Sequence, residues 1–261
     1  MPTRESYKQG TPNWIDLATP DCEAAKEFYG GLMGWEFESN PTPQGGEYLT
    51  ACCEGKACAG IMEQPEPMKQ AGAPAAWNTY LAVDDVAECC TKVEAGGGAV
   101  VMPPMSVGDS GEMAVISDPS GAMCGLWQAK DSIGCEVVNE DGALIWNELT
   151  SDNLAKAAPF YAETFGMEIT EEDMGGPEPY LLFNVAGEAV AGGSAPMKEG
   201  LPNYWATYMC VPDIDTCVAK AIELGGEATV PAFDTPVGRM AGLKDPQGGF
   251  FMVMKPAHAG N

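Results

Sequence analysis

Two tryptophan–carboxylate pairs hold most of the chemistry that the residue types of this chain can support. Trp14 and Asp16 lie in TPNWIDL, and Trp146 and Glu148 lie in ALIWNEL, 132 residues further on. Each segment reads as a short strand, and alternate side chains of a strand share a face. Trp14 therefore stands beside Asp16, and Trp146 beside Glu148. An indole face with a carboxylate nearby suits a flat organic ligand that is partly polar or cationic. Shielded from water, such a carboxylate has a raised pKa and can abstract a proton as general base. Asn78 and Tyr80 share one face of WNTYLAV, and Trp127 ends the apolar run MCGLW. Trp14, Asn78, Tyr80, Trp127 and Trp146 form the expected ligand-binding set, and Asp16 and Glu148 the expected catalytic groups. The competing reading is that the large rings simply fill a core. A carboxylate recurring at matched positions is harder to explain by packing, because a buried charge needs partners.

The remaining inventory narrows the chemistry. The chain has one histidine, His258, in its C-terminal tail. A zinc, nickel or iron site rich in imidazole, a 2-His-1-carboxylate triad and a Ser-His-Asp or Cys-His engine therefore cannot be assembled. No cofactor is expected. The metal alternative is an oxygen-only site for magnesium or calcium, drawing on Asp16, Glu63 or Glu148. Ten cysteines occur without a CxxC spacing, and they read as buried thiols used as small apolar groups. Thirteen basic against 38 acidic residues give a net charge of −25, which argues against nucleic acid and anionic lipid as partners. With no apolar run long enough to span a bilayer and a polar start, MPTRESYKQG, a cytoplasmic protein is expected.

These residues need elements to position them, and the sequence supplies the same unit four times. After the first strand comes an amphipathic helix over about Cys22–Leu32. Trp35–Phe37, Tyr48–Cys53 and Ala57–Met62 follow as strands, with a turn at Pro41–Gly46 and a hairpin at Glu54-Gly55-Lys56. A proline-rich linker covers Gln64–Ala76. The unit then restarts: strand Asn78–Val83, helix Asp84–Ala95, and strands Val100–Met102, Met113–Ile116 and Met123–Trp127. Ile145–Val190 and Leu201–Val253 repeat both units, with a hairpin at Ala186-Gly187-Glu188. Asp84-Asp85 and Asp213 read as helix N-caps, and Gly96-Gly97-Gly98 and Gly225-Gly226 as helix ends. The expected fold is α+β: four tandem βαβββ units that curl into two cups with the helices outside. The expected domains span residues 10–129 and 142–256. Four units can close both cups in one chain, so a monomer is expected, with a dimer as the alternative.

The strand-helix FY…G pattern, the VDDV and VPDI helix entries and the DPxG turns before the last strand of each half resemble the vicinal oxygen chelate superfamily. This is the group of glyoxalases, bleomycin-resistance proteins and extradiol dioxygenases. TPNWIDL, WNTYLAV and the DPSGAMCGLWQA…IWNEL join look close to the two-domain actinobacterial glyoxalase-like, or hydroxylase, type. The resemblance runs from about Pro12 to Lys255. It implies that metal-using relatives place ligands at positions that here hold Trp14, Asn78 and Gly125, with Glu63 as the uncertain fourth. In the second half the matching positions hold Trp146, Ala206 and Met252, none of which binds a hard cation. The resemblance thus implies a metal-independent protein that holds an aromatic or polar metabolite or antibiotic. The alternatives are a glyoxalase-like lyase, isomerase or oxygenase built on Asp16 or Glu148, and an antigen with vestigial pockets. The fold by itself does not decide among them.

Overall fold

The computed structural model describes residues 3–42, 46–174, 179–198 and 200–257. His258 and part of the expected turn at Pro41–Gly46 lie outside the described residues. In the first half, β1 (Pro12–Thr19), α1 (Cys22–Met33), β2 (Glu36–Pro41), β3 (Glu47–Cys53) and β4 (Lys56–Glu63) form one unit. A short helix, α2 (Glu66–Gln70), interrupts the proline-rich linker. β5 (Ala76–Ala82), α3 (Val86–Ala95), β6 (Ala99–Ser106), β7 (Gly111–Ser117) and β8 (Met123–Ala129) form the next. The second half repeats the order: β9 (Leu144–Thr150), α4 (Leu154–Phe165), β10 (Glu168–Glu172), β11 (Tyr180–Val185) and β12 (Glu188–Ser194). Then come β13 (Tyr204–Cys210), α5 (Ile214–Glu223), β14 (Glu227–Thr235), β15 (Gly238–Lys244) and β16 (Phe250–Pro256).

Local chemistry sets the boundaries. Asp21 caps α1 by accepting from the Ala24 N–H at 3.0 Å, and Gly34 ends it in the left-handed region at φ 74°. Asp85 and Asp213 cap α3 and α5 in the same way. Asp84, expected to share the first of these roles, instead has its N–H bound to the Gln9 side chain. The two expected hairpins form, with Glu54-Gly55 and Ala186-Gly187 both at positive φ, as a two-residue turn matched to strand twist requires. β6 is longer than the sequence suggests and runs through Pro103 and Pro104. It tolerates them because it is an edge strand, with a shift of register between Met102 and Met105.

Each half is one continuous eight-stranded sheet rather than two apposed four-stranded ones. The strand orders are β2-β3-β4-β1-β5-β8-β7-β6 and β10-β11-β12-β9-β13-β16-β15-β14. β1 and β5 pair antiparallel at the centre of the first sheet, as β9 and β13 do in the second. The helices lie on the face away from Trp14 and Asp16, as expected, and the other half covers them. Ile15 and Leu17, alternating with the site residues on β1, share one buried cluster with Ile214, Leu243, Phe251 and Val253 of the second half. Leu81, Ile116 and Leu126 share another with Phe160, Tyr161 and Phe183. The apolar core is therefore a layer between the two sheets, and each concave face looks outward. Among the described residues no helix is long and apolar enough to cross a membrane.

Two hydrogen-bond relays bolt this layer together. The buried Trp77 indole N–H donates to the Tyr29 hydroxyl at 2.9 Å, and Tyr29 donates to Asp245 of the second half at 3.0 Å. Trp205 donates to Tyr161 at 2.9 Å, and Tyr161 to Asp118 of the first half at 3.1 Å. The DPxG turn of each half thus receives the helix tyrosine of the other. Asn147 also reaches across to Thr79 at 2.8 Å. The position matching Asn147 in the first half is Ile15, which leaves the hydroxyl of Thr207, the counterpart of Thr79, without a partner.

Candidate functional site

The concave face of the first sheet gathers four residues around one carboxylate. Asp16 is 2% exposed. Its Oδ1 accepts from the Asn78 amide at 2.8 Å, and its Oδ2 from the hydroxyls of Tyr80 at 2.8 Å and Tyr48 at 3.4 Å. The Trp14 indole N–H donates to the Tyr48 hydroxyl at 2.7 Å. Strand register explains the cluster: Asp16 lies opposite Asn78 on β5 and opposite Gly60 on β4, and Trp14 opposite Tyr80. A β-carbon at Gly60 would overlap the Tyr48 hydroxyl, so the missing side chain is what lets Tyr48 lean over the sheet to the carboxylate. Burial pushes the Asp16 carboxyl up to about 6, and the hydrogen bonds from Asn78, Tyr80 and Tyr48 oppose that rise.

The second sheet repeats the plan with different donors. Glu148 accepts from the Tyr180 hydroxyl at 2.8 Å and from the Ser194 hydroxyl at 2.8 Å, and Tyr208 donates to it as well. The Trp146 N–H donates to Tyr180 at 2.9 Å, and Gly192 leaves room for the Tyr180 ring as Gly60 does for Tyr48. Burial raises the Glu148 carboxyl above its usual range, against the three hydroxyl donors. Unlike Asp16, Glu148 is partly exposed.

Of the residues singled out in the sequence, Trp14, Asp16, Asn78 and Tyr80 meet in one cluster, and Trp146 and Glu148 in another. Trp127 does not join either. Its N–H donates to the Ser132 carbonyl at 2.8 Å, and with Tyr7, Asn13 and Asp84 it lines a cleft of about 230 Å³ that Asp16 does not reach. Glu63 also falls outside: on β4 it follows Met62, which shares the face of Gly60, and it is ion-paired with Lys69. Tyr48, Tyr180, Ser194 and Tyr208 were not anticipated. The signal for three of them was present, since Tyr48 and Tyr180 recur at the same 132-residue spacing as the tryptophans, and Tyr80 and Tyr208 at 128.

The donor set does not fit the cation that metal-using relatives hold. Each cluster contains one carboxylate already bound by hydroxyl or amide donors, and its nearest neighbours are indole, phenol and glycine. Among the described residues no three His, Cys, Asp or Glu side chains come together as ligands. Cysteine offers no substitute, because no thiol is among the hydrogen-bond partners of Asp16 or Glu148.

Comparison with known proteins agrees with this architecture. A protein named "Putative glyoxylase CFP32" from Mycobacterium tuberculosis is 46% identical over 259 residues, covering 98% of this chain and 99% of its own. The anthracycline biosynthesis protein DnrV of Streptomyces peucetius is 35% identical over 271 residues, covering 97% and 98%. Among solved structures, the 2,3-dioxygenase LapB from Pseudomonas sp. KL28 superposes with a TM-score of 0.66 at 15% identity, covering 97% of this chain and 94% of its own. The Mn(II)-bound glyoxalase from Novosphingobium aromaticivorans gives 0.65 at 13%, covering 95% and 82%. At such identities these structures speak for the fold alone. The sequence profile of the Glyoxalase/Bleomycin resistance protein/Dioxygenase superfamily matches residues 11–125 and again 143–253, and the chain belongs to that superfamily.

Proposed function

We propose that the protein holds a small aromatic or polar molecule in its concave faces without a metal ion. The observation that carries this reading is the repeated cluster itself. In both halves a tryptophan and two tyrosines surround one carboxylate, and the family resemblance implies that Trp14 and Trp146 stand at positions where metal-using relatives carry a ligand. Indole and phenol faces supply flat apolar area, and the carboxylate supplies one oriented acceptor, which together suit a planar ligand bearing a polar group. DnrV, similar over nearly the whole chain, is named for anthracycline biosynthesis. That name supports a fused-ring aromatic ligand here.

The test is titration of chelator-treated protein with naphthols and hydroxyanthraquinones, read by tryptophan fluorescence, beside metal analysis of the purified protein. Saturable quenching of the metal-free protein, lost in a Trp14→Ala/Trp146→Ala double variant, is the expected result. Binding that returns only when a divalent ion is added back overturns the proposal.

A second reading has its own observation. Burial lifts Asp16 to about 6 and raises Glu148, which brings both toward the range of a general base working near neutrality. Proton abstraction from a bound ligand, as in a lyase or isomerase, is then open to them. Loss of turnover in Asp16→Asn or Glu148→Gln, with ligand binding retained, would favour it over simple binding.

A further inference from the structure

We infer that the two cups are not equivalent: the second is the ligand site and takes a planar organic cation, and the first is a closed structural copy. This rests on the reading of the cups as small-molecule sites and sharpens it. Three of the matched positions that differ lie beside the carboxylate. Asn78 corresponds to Ala206, Met62 to Ser194 and Gly125 to Met252. In the first cup the Asn78 amide binds Asp16, and Tyr80 and Tyr48 complete the cover, leaving the carboxylate 2% exposed. In the second cup Ala206 brings no polar group over the carboxylate. The missing donor comes from Ser194 on the opposite neighbouring strand, β12, at 2.8 Å. Glu148 keeps three hydrogen bonds and stays partly exposed, with no amide at the position that Asn78 holds in the first half.

The walls differ as well. Beside Glu148, Ala206, Tyr208, Met252 and Met254 form a small buried cluster separate from the two cores between the sheets, and the partly buried side chains of Trp146, Tyr204, Phe233, Met240 and Phe250 pack against it. No matching cluster forms on the concave face of the first sheet among the described residues. Aromatic faces hold a flat ring, and methionine adapts to its outline. A carboxylate has about four acceptor sites, and the donors on Glu148 fill three. The partners on the carboxylate are all neutral hydroxyls, so its charge is solvated but not neutralised. A ligand ammonium or amidinium at the fourth site would supply the counter-charge and lie against ring faces that themselves favour cations. The net charge of −25 draws cations toward the surface and repels anions.

The experiment uses the full chain labelled with ¹⁵N at its tryptophan indoles, whose signals are assigned with Trp14→Phe and Trp146→Phe. It is titrated with 9-aminoacridine, a planar cation, and with anthracene-9-carboxylate, an anion of similar outline. The expected result is that 9-aminoacridine moves the Trp146 signal and not the Trp14 signal, and binds at least about tenfold more tightly than the anion. Glu148→Gln and Ala206→Asn, each checked for an unchanged urea midpoint, should each weaken it about tenfold. Movement at Trp14 alone, equal affinity for the two probes, or unchanged affinity in Glu148→Gln overturns the inference and leaves the broader small-molecule reading standing. If neither probe, nor any naphthol or hydroxyanthraquinone, moves an indole signal in either cup, both fail.

Discussion

Replacing Tyr29 with phenylalanine removes one oxygen atom from the middle of the relay that joins the two halves. The ring keeps its packing against Phe28, Trp35, Trp77 and Phe251. The hydrogen bonds do not survive. Trp77 loses the acceptor for its buried N–H, and Asp245 loses the donor to its Oδ2. Its Oδ1 still accepts from the Gln247 and Gly249 N–H groups at 2.9 and 2.8 Å. An unpaired buried donor costs about 1–3 kcal/mol, and a lost hydrogen bond to a carboxylate contributes a similar amount. Because the turn relaxes around Asp245, the two overlap, and a loss of about 3 kcal/mol is expected for Tyr29→Phe. Tyr161→Phe should cost the same by pseudo-symmetry, and the double variant close to the sum, since the relays share no residue. Equilibrium urea unfolding at neutral pH measures this as a lower midpoint with an unchanged slope. Both halves should unfold in a single transition, because the core between them belongs to neither alone. A loss below about 0.5 kcal/mol in both single variants would refute the claim that the relays hold the halves together.

The carboxylate of Asp16 sets a pH signature. Its folded pKa, about 6, lies above the ordinary 3.8, so its contribution to stability is full below 3.8 and fades as pH rises through about 6. The window from pH 5 to 8 takes in about half of that interval, so Asp16→Asn should gain about 1.4 kcal/mol on the wild type across it by urea unfolding; a constant difference would show that Asp16 is not desolvated. Gly192→Ala drives a methyl group into the Tyr180 hydroxyl and should cost about 1–3 kcal/mol while weakening ligand binding; a neutral result would mean that Tyr180 is not held over the strand. Of the ten cysteines only Cys22 is not buried, and burial lifts even that thiol to about 11. Ellman's reagent at pH 8 should therefore find less than one fast-reacting thiol per native chain and ten in urea.

Much of the fold was legible because the same physical signals recur at fixed offsets. Caps at Asp85 and Asp213, paired hairpin glycines and the DPxG turns mark element ends by local backbone chemistry, which the sequence states directly. Where the sheets face was not legible. The odd-numbered residues of β1 read as an ordinary buried face, and nothing local says that their partners come from the other half. The site divides in the same way. Trp14 and Asp16 are neighbours in one strand and were found by alternation, whereas Tyr48 and Ser194 reach their carboxylates across strand pairings that only the register defines. Trp127 is an intermediate case: the register sets it opposite Ala82, on the face of Tyr80 and Gly125, but its indole donates to the Ser132 carbonyl and joins neither carboxylate cluster.

The crossed relays bear on how such a chain could arise. Each half carries a helix tyrosine and a turn aspartate, and neither residue can reach the other within its own half, since Tyr29 meets Asp245 and Tyr161 meets Asp118. A half-length chain would therefore expose one donor and one acceptor that match those of a second copy. Two identical halves, turned about a twofold axis, would satisfy both at once. The present protein has the symmetry of a dimer whose subunits have been tied together. In such a tied pair the halves can diverge on their outward faces, where Asn78 and Ala206 differ, while the crossed tyrosine–aspartate pairs between them are kept in both directions.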